Sequence, residues 1–288
     1  MREPGKDGNT FINSNSGAEI ARQMSQEPLL LQAMGGLFSE KADLSDVHYL
    51  LDVYCGPGGW ALEMAFYHPN IEIIAIDTNR HNIEYAQAQA KVQGLSNVHF
   101  ICVNPVWELD FPDDTFDIIN ARFISAFLQT QDWPGALQEF VRISKPNGII
   151  RLIESDEPFT SSSAACERLK QLSAQALALH GQSFHPLRGA VNSRVAARLG
   201  KFLREAGCQR IQEKAYVINY ASDALYNNLK YDSLKVLYKL AQPFLCAKGV
   251  AMQSELDQLY EQMLTDMLTN NFYALWYFLS CWGYVMKS

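Results

Sequence analysis

The stretch Leu50-Leu-Asp-Val-Tyr-Cys-Gly-Pro-Gly-Gly-Trp60 concentrates residue types that hold a charged small molecule. An apolar run ends, Gly56, Gly58 and Gly59 follow within four positions, and a helical pattern begins. Glycine lets backbone N–H groups come close to a ligand, and the new helix N-terminus presents partial positive charge to an anion. Nineteen residues past Gly58 (77 − 58), a second apolar run ends at Asp77. A carboxylate there reaches the first turn and can accept hydrogen bonds from both hydroxyls of a ribose. Together these features describe a nucleoside-containing ligand. Gly56–Ala61 also fits the dinucleotide pattern G-x-G-x-x-[GA], so a nicotinamide-dependent oxidoreductase is the first rival. Asp52 weighs against it, because the dinucleotide fingerprint keeps that strand end apolar. Tyr-x-x-x-Lys pairs occur only at Tyr226–Lys230 and Tyr231–Lys235, outside the core.

The elements that must position this segment follow from periodicity. Short apolar runs at His48–Cys55, Ile71–Asp77, Val98–Val103, Phe116–Asn120 and Gly148–Glu154 alternate with helical patterns at Gly59–His68, Arg80–Gly94 and Trp133–Ile143. Near-continuous apolar strands separated by helices define a parallel sheet covered on both faces. The expected fold class is α/β: a doubly wound, mostly parallel, seven-stranded Rossmann-like sheet with helical cap insertions. The sixth and seventh strands are expected at Gln209–Tyr220, with only its second half buried, and at Phe272–Met286. Helices are expected at Ala18–Met34, ended by Gly35-Gly36, and at Ala164–Gly181 and Ser193–Gly207. Two more fall in residues 222–270, the first with Pro243 beyond its end. This divides the chain into an N-terminal segment and capping helix (1–36), an α/β core (37–156, 191–221 and 271–288) and a helical cap (157–190 and 222–270).

The chain has 288 residues, 48% of them hydrophobic, enough for a large core. With 24 Lys plus Arg against 31 Asp plus Glu the net charge is −7, which disfavours nucleic acid and anionic membrane as partners. The polar start lacks the apolar core of a secretory signal, and Phe272–Met286 is too short and too interrupted to span a membrane. Six scattered cysteines with no CxxC argue against zinc, any other metal site or a disulfide framework, so a cytoplasmic location is expected.

The motif residues carry a family resemblance. Asp52-Val-Tyr-Cys-Gly-Pro-Gly58 resembles the acidic–hydrophobic–Gly-Cys-Gly-x-Gly signature of class I S-adenosylmethionine-dependent methyltransferases, with Tyr54 where the family prefers glycine. Val98–Ile119 resembles the family's third strand, adenine-binding loop and fourth strand, with Pro105 where an adenine-contacting Asp is usual. Lys145-Pro-Asn-Gly148 is similar to the turn before the fifth strand, and Ala206–Ile211 to the entry to the sixth. The resemblance implies S-adenosylmethionine as cofactor and S-adenosylhomocysteine as product. It places the carboxylate at Gly56, Gly58 and the helix start, and the ribose on Asp77 with Thr78 beside the adenine. Pro105, the Val106 backbone and Trp107 would surround the adenine, while Asp52, Tyr54 and Asn120 would lie at the cationic methionine end.

Methyl transfer is an in-line displacement in which the protein mainly holds the acceptor ~3–3.5 Å from the methyl carbon. The cap is rich in apolar and aromatic residues and has no basic groove, which favours a small, largely apolar acceptor. Phe123, Glu154, Asp156 and Tyr231 are the expected acceptor contacts, with Arg122 free to pair with one of the two acids. Glu154, His180 and His185 are candidates for a base, needed only where the acceptor loses a proton. The lid composition is similar to that of carbon-methylating enzymes of terpenoid and prenylated-alkaloid secondary metabolism; O- and N-methylation fit the core equally. A non-catalytic cofactor-binding protein stays open, kept alive by Tyr54 and Pro105. The N-terminal helix could close its own site or a neighbour's, and a homo-oligomer is expected.

Overall fold

The computed structural model describes residues 11–12, 16–41, 43–103, 108–156, 159–185, 193–220 and 227–287. Five parallel strands form the centre of one sheet: β1 (Tyr49–Val53), β2 (Glu72–Asp77), β3 (Val98–Cys102), β4 (Phe116–Arg122) and β5 (Ser144–Glu154). Beyond them lie β6 (Thr160–Ser161), β7 (Cys208–Asn219) and β8 (Ala274–Val285). The spatial order is β3-β2-β1-β4-β5-β8, with β7 and the two-residue β6 both pairing antiparallel to β8. β8 also runs antiparallel to β5, with Glu154 opposite Leu279. The sheet is thus the doubly wound, mostly parallel one expected, with the short β6 as an eighth strand.

Side-chain parity assigns the faces, because successive residues of a strand point to opposite sides. Leu51, Val53, Ile119, Ala121, Ile150 and Leu152 pack with α4 (Trp133–Ile143) and α6 (Leu199–Glu205). Leu50, Ile73, Ala75, Ile118 and Ile149 pack with α2 (Gly59–Tyr67) and α3 (Arg80–Gln93). A third apolar cluster joins α1 (Gly17–Met34), α5 (Ala164–Leu179), α7 (Asn227–Ala247) and α8 (Gln253–Met267) to Ile153, Tyr216, Ile218, Trp276 and Phe278 of the sheet. This helical layer closes over the strand ends where the glycine turn lies.

Two expectations change. Residues 193–207 do not make one helix: a 3-10 turn at Ala196–Arg198 precedes α6, and Asp156 pins it by accepting a 2.8 Å hydrogen bond from the Ala196 N–H. Pro243 lies inside α7 rather than beyond it. Its ring sacrifices one helical hydrogen bond, and the burial of Phe244 and Leu245 immediately after it offsets that loss.

The strap from α1 to β1 is tied beneath the sheet by charge. Arg151 is fully buried, stacks on Phe38 at 4.6 Å, donates to the Leu37 carbonyl at 2.9 Å and faces Glu40 at 3.4 Å. Glu40 in turn accepts from Ser280 at 2.7 Å and from Tyr216 at 3.2 Å. Loss of one partner strands a buried charge, which costs about 3–5 kcal/mol. Glu40→Ala is therefore expected to destabilise the fold by about that amount in a urea titration, and Glu40→Gln by less. An unchanged midpoint for both would refute the tie.

Candidate active site

The turn after β1 is built from backbone that few side chains tolerate. Tyr54, Gly56 and Gly58 have φ values of +53°, +57° and +85°. A β-carbon on Gly58 would meet Phe100 Cε1 at 2.7 Å and Ala86 Cβ at 2.9 Å, so glycine there lets α2 start directly above β3 and α3. Tyr54 adopts the left-handed conformation that explains the family's glycine at its position, a cost of order 1 kcal/mol. Its ring stacks on Phe127, 4.6 Å between centroids and 5° from parallel, which recovers part of that cost. Asp77 braces the turn from the end of β2. Its Oδ2 accepts from the Gly56 N–H at 2.9 Å and its Oδ1 from the Asn79 N–H at 2.7 Å. Burial raises its pKa against the pull of those donors.

Asp52 and Asn120 are register partners on β1 and β4, both buried on the side of α2. Asn120 Nδ2 donates to Asp52 Oδ1 at 2.7 Å, while Asp52 Oδ2 and Asn120 Oδ1 are buried with no hydrogen-bond donor. Burial pushes the Asp52 carboxyl up to about 7, opposed by Arg122. Arg122 pairs with neither Glu154 nor Asp156. Both its terminal nitrogens donate to Glu27 of α1 at 2.9 Å, a bidentate pair with each side chain about one-tenth exposed. The correction arises because α1 lies across the crevice: Glu27 and Met24 stand over Gly59, and a β-carbon on Gly56 would meet Gln23 Oε1 at 2.5 Å.

Gln23, Glu27, Asp52, Tyr54, Gly56, Gly59, Asp77 and Arg122 line one cavity of about 770 Å³, together with Thr78, Phe123, Glu154, Asp156, Phe159, Lys170 and Trp276. Phe123, at φ +55°, packs on Trp276 at 5.4 Å. Asp156 spends its Oδ1 on the backbone of the 3-10 turn. Glu154 is 1% exposed and accepts from the Ser125 N–H at 3.0 Å and the Ser125 hydroxyl at 2.6 Å. Burial raises its pKa to about 8.

Five expected site residues are not part of the lining: Gly58, at the start of α2, Asn120, which lies behind Asp52, and His180, His185 and Tyr231. His180 meets Lys248 through its Nδ1 at 2.9 Å and packs edge-on to Phe244, and its pKa is lowered by burial and by that lysine. His185 is held through its own backbone N–H by Ser183 at 3.2 Å. Tyr231 packs against Phe272 at 5.7 Å in the cap core. Pro105, Val106 and Trp107 lie outside the described residues. Gln23, Glu27 and Ser125 were not foreseen. Acids and amides at Glu19, Gln23 and Glu27, spaced by four along one face of α1 above Leu30, were the available signal.

Among the described residues no group of three or more His, Cys, Asp or Glu could hold a metal ion, and no helix is long and apolar enough to cross a membrane.

Residues 50–148 match the family model described as a methyltransferase domain. Demethylmenaquinone methyltransferase of Geobacillus kaustophilus is 31% identical over 109 residues, 38% of this chain and 45% of that protein. Sterol 24-C-methyltransferase of Aspergillus fumigatus is 31% identical over 105 residues, 36% of this chain and 27% of that protein. The chain therefore spans less than half the length of these relatives. The crystal structure of YcgJ from Bacillus subtilis superposes with a TM-score of 0.54 at 19% identity, covering 89% of this chain and 99% of that one, a likeness of fold. The match to a methyltransferase domain thus lies on residues 50–148, the stretch that holds β1, the glycine turn, β2 and β4, and the group to test in the cavity is the methyl donor that the motif implies, S-adenosylmethionine.

The residues present fit that group. Two buried acceptors without donors, Asp52 Oδ2 and Asn120 Oδ1, sit beside a turn whose backbone N–H groups suit a carboxylate. A cation arriving there favours the charged form of Asp52, so binding near neutral pH releases a proton. Affinity for S-adenosylhomocysteine, which keeps the amino-acid end, should rise between pH 6 and 7.5 by up to about tenfold per unit below the Asp52 pKa. It should level off above that range. Calorimetry in buffers of different ionisation enthalpy checks this, and Asp52→Asn should flatten the profile.

Proposed function

We propose that this chain transfers the methyl group of S-adenosylmethionine to a small, largely apolar acceptor by in-line displacement. When bound, the cofactor supplies a methyl carbon already activated by its sulfonium. The chain's own residues then have three tasks. Asp77 holds the ribose from the end of β2, with Thr78 beside it. Asp52, oriented by Asn120, fixes the ammonium, the turn from Gly56 to Gly59 takes the carboxylate, and Tyr54 closes the methionine side against Phe127. The cap excludes water and presents apolar and aromatic surface, chiefly Leu30, Phe123, Phe159, Leu234 and Trp276, to the acceptor.

The observation that carries this reading is the joining of two unlike ends in one cavity. One end has orphaned polar acceptors beside a glycine turn, and the other is lined by rings. A cavity of this kind suits a cationic cofactor meeting an apolar substrate, and proximity and alignment supply most of the rate. Relatives named for demethylmenaquinone and for sterol carbon 24 support a small organic acceptor. An isoprenoid or prenylated product of secondary metabolism is within this class.

Calorimetry with S-adenosylhomocysteine and with NAD tests the cofactor half. The sulfur ligand is expected to bind and NAD to give no heat; the reverse would overturn the reading. Asp77→Ala should weaken S-adenosylhomocysteine about 10- to 100-fold, the loss expected for two charge-assisted hydrogen bonds. Methylthioadenosine, which keeps the ribose and lacks the amino acid, should lose affinity by the same factor.

A further inference from the structure

Glu154 breaks the pattern set by the other buried glutamates. Glu19 is paired with Arg22, Glu27 with Arg122 and Glu139 with Arg142, at 2.7, 2.9 and 2.7 Å. Among the described residues Glu154 is buried to the same degree without a cation, and it lines the cavity. A buried carboxylate kept only for structure costs several kcal/mol unless a counter-charge or a full set of donors repays it. Here the donors are the Ser125 N–H and hydroxyl, each of which reaches one carboxylate oxygen, with the Ile124 backbone N–H as a weaker neighbour; none of them carries a charge. Each oxygen keeps lone-pair room for a further donor.

Ser125 is itself held in place. Phe123, in the left-handed conformation, turns the chain off β4 into the 3-10 turn Ile124–Ala126. Gln182 locks that turn by donating to the carbonyls of Ser125 and Ala126 at 3.1 and 2.7 Å, and its own Oε1 is buried without a donor. A strained residue, a braced serine and an unpaired acid converge on the cavity wall beside Phe123. Strain held in this way gathers at working sites.

We propose that Glu154, positioned by Ser125, is the base of the transfer and that the acceptor is a ring-borne hydroxyl, a phenol or enol. This rests on the methyltransferase reading above. The acceptor's O–H proton passes to a Glu154 carboxylate oxygen as an oxygen lone pair forms the bond to the methyl carbon. The carbon–sulfur bond breaks with its electron pair going to sulfur, which leaves a methyl ether and S-adenosylhomocysteine. The proton returns to solvent on product release.

The charged and titratable groups lining the same cavity include Asp156 on the same chain turn, Lys170 of α5, Asp52, the self-paired Glu27–Arg122 and Glu19–Arg22 couples, and, at the β2 end, Asp77, Arg80 and His81. Burial and Asp156 favour the protonated form of Glu154, and the Ser125 hydroxyl favours the ionised one. The base therefore becomes available as pH rises, and removal of the Ser125 hydroxyl shifts that rise upward.

The test uses 1-naphthol, its methyl ether 1-methoxynaphthalene, 1-naphthylamine and geraniol. With S-adenosylhomocysteine bound, 1-naphthol should bind about tenfold or more tightly than its methyl ether, and Glu154→Gln should abolish that preference. With tritiated S-adenosylmethionine, methyl transfer to 1-naphthol should rise with pH to about 8 and fall ~10²–10⁴-fold in kcat in Glu154→Gln. Ser125→Ala should move the profile to higher pH with little change in KM. Equal binding of naphthol and ether, transfer only to the amine or the olefin, or no transfer to naphthol at all would each overturn the proposal. Failure of S-adenosylhomocysteine to bind would instead overturn the cofactor reading.

Discussion

The bidentate pair between Glu27 of α1 and Arg122 of β4 sets the shape of everything around the crevice. Three acids, Asp52, Glu27 and Glu40, and two arginines, Arg122 and Arg151, share the buried side of the strand ends beneath α1. Unpaired charge cannot stay there, so the helix that brings Glu27 must lie across the glycine turn. With α1 in that place, Gln23 fills the space above Gly56 and Trp60 takes the Arg122 guanidinium on its ring at 5.5 Å. The one carboxylate left over, Asp52, sits where the bound cation would complete the balance. The domain and its capping helix are thus coupled by electrostatics as much as by apolar burial.

The aromatic residues divide the cavity's labour. Tyr54 and Phe127 stack at the end next to the glycine turn, while Phe123 and Trp276 pack at 5.4 Å along the opposite wall, backed by Phe278 at 5.3 Å from Trp276. The Trp276 indole N–H is satisfied by the Ser155 hydroxyl at 3.0 Å, which fixes the ring's tilt without spending a cavity group. Rigid rings with satisfied polar tips give shape selectivity at low entropic cost.

Much of this was legible in the residues, and the exceptions have physical causes. Period and glycine placement locate β1, the turn, β2 and Asp77, because those signals are local. Asp52 stood out since a strand end on a parallel sheet is normally apolar. The placement of Tyr231 depends on how α7 rotates about its axis, which stripe-counting resolves poorly when apolar residues surround the helix, and that of His180 and His185 on how the chain leaves the end of α5, which no period records. Arg122 was recognised as a partner in need of an acid, but its acid came from 95 positions earlier in the chain. Spacing carries no information about such a pairing. Pro243 reads as a stop in any local rule, and it is overridden by tertiary burial of Phe244 and Leu245.

β8 follows α8 in the chain yet lies between β5 and β7, hydrogen-bonded along both. During synthesis the glycine turn and the five parallel strands emerge before β8, with one flank of β5 bare until β8 follows. Insertion of that strand seals the exposed edge and delivers Trp276 to the cavity in one event. The cavity wall at Trp276 therefore forms only together with the ladders that pair β8 with β5 and β7.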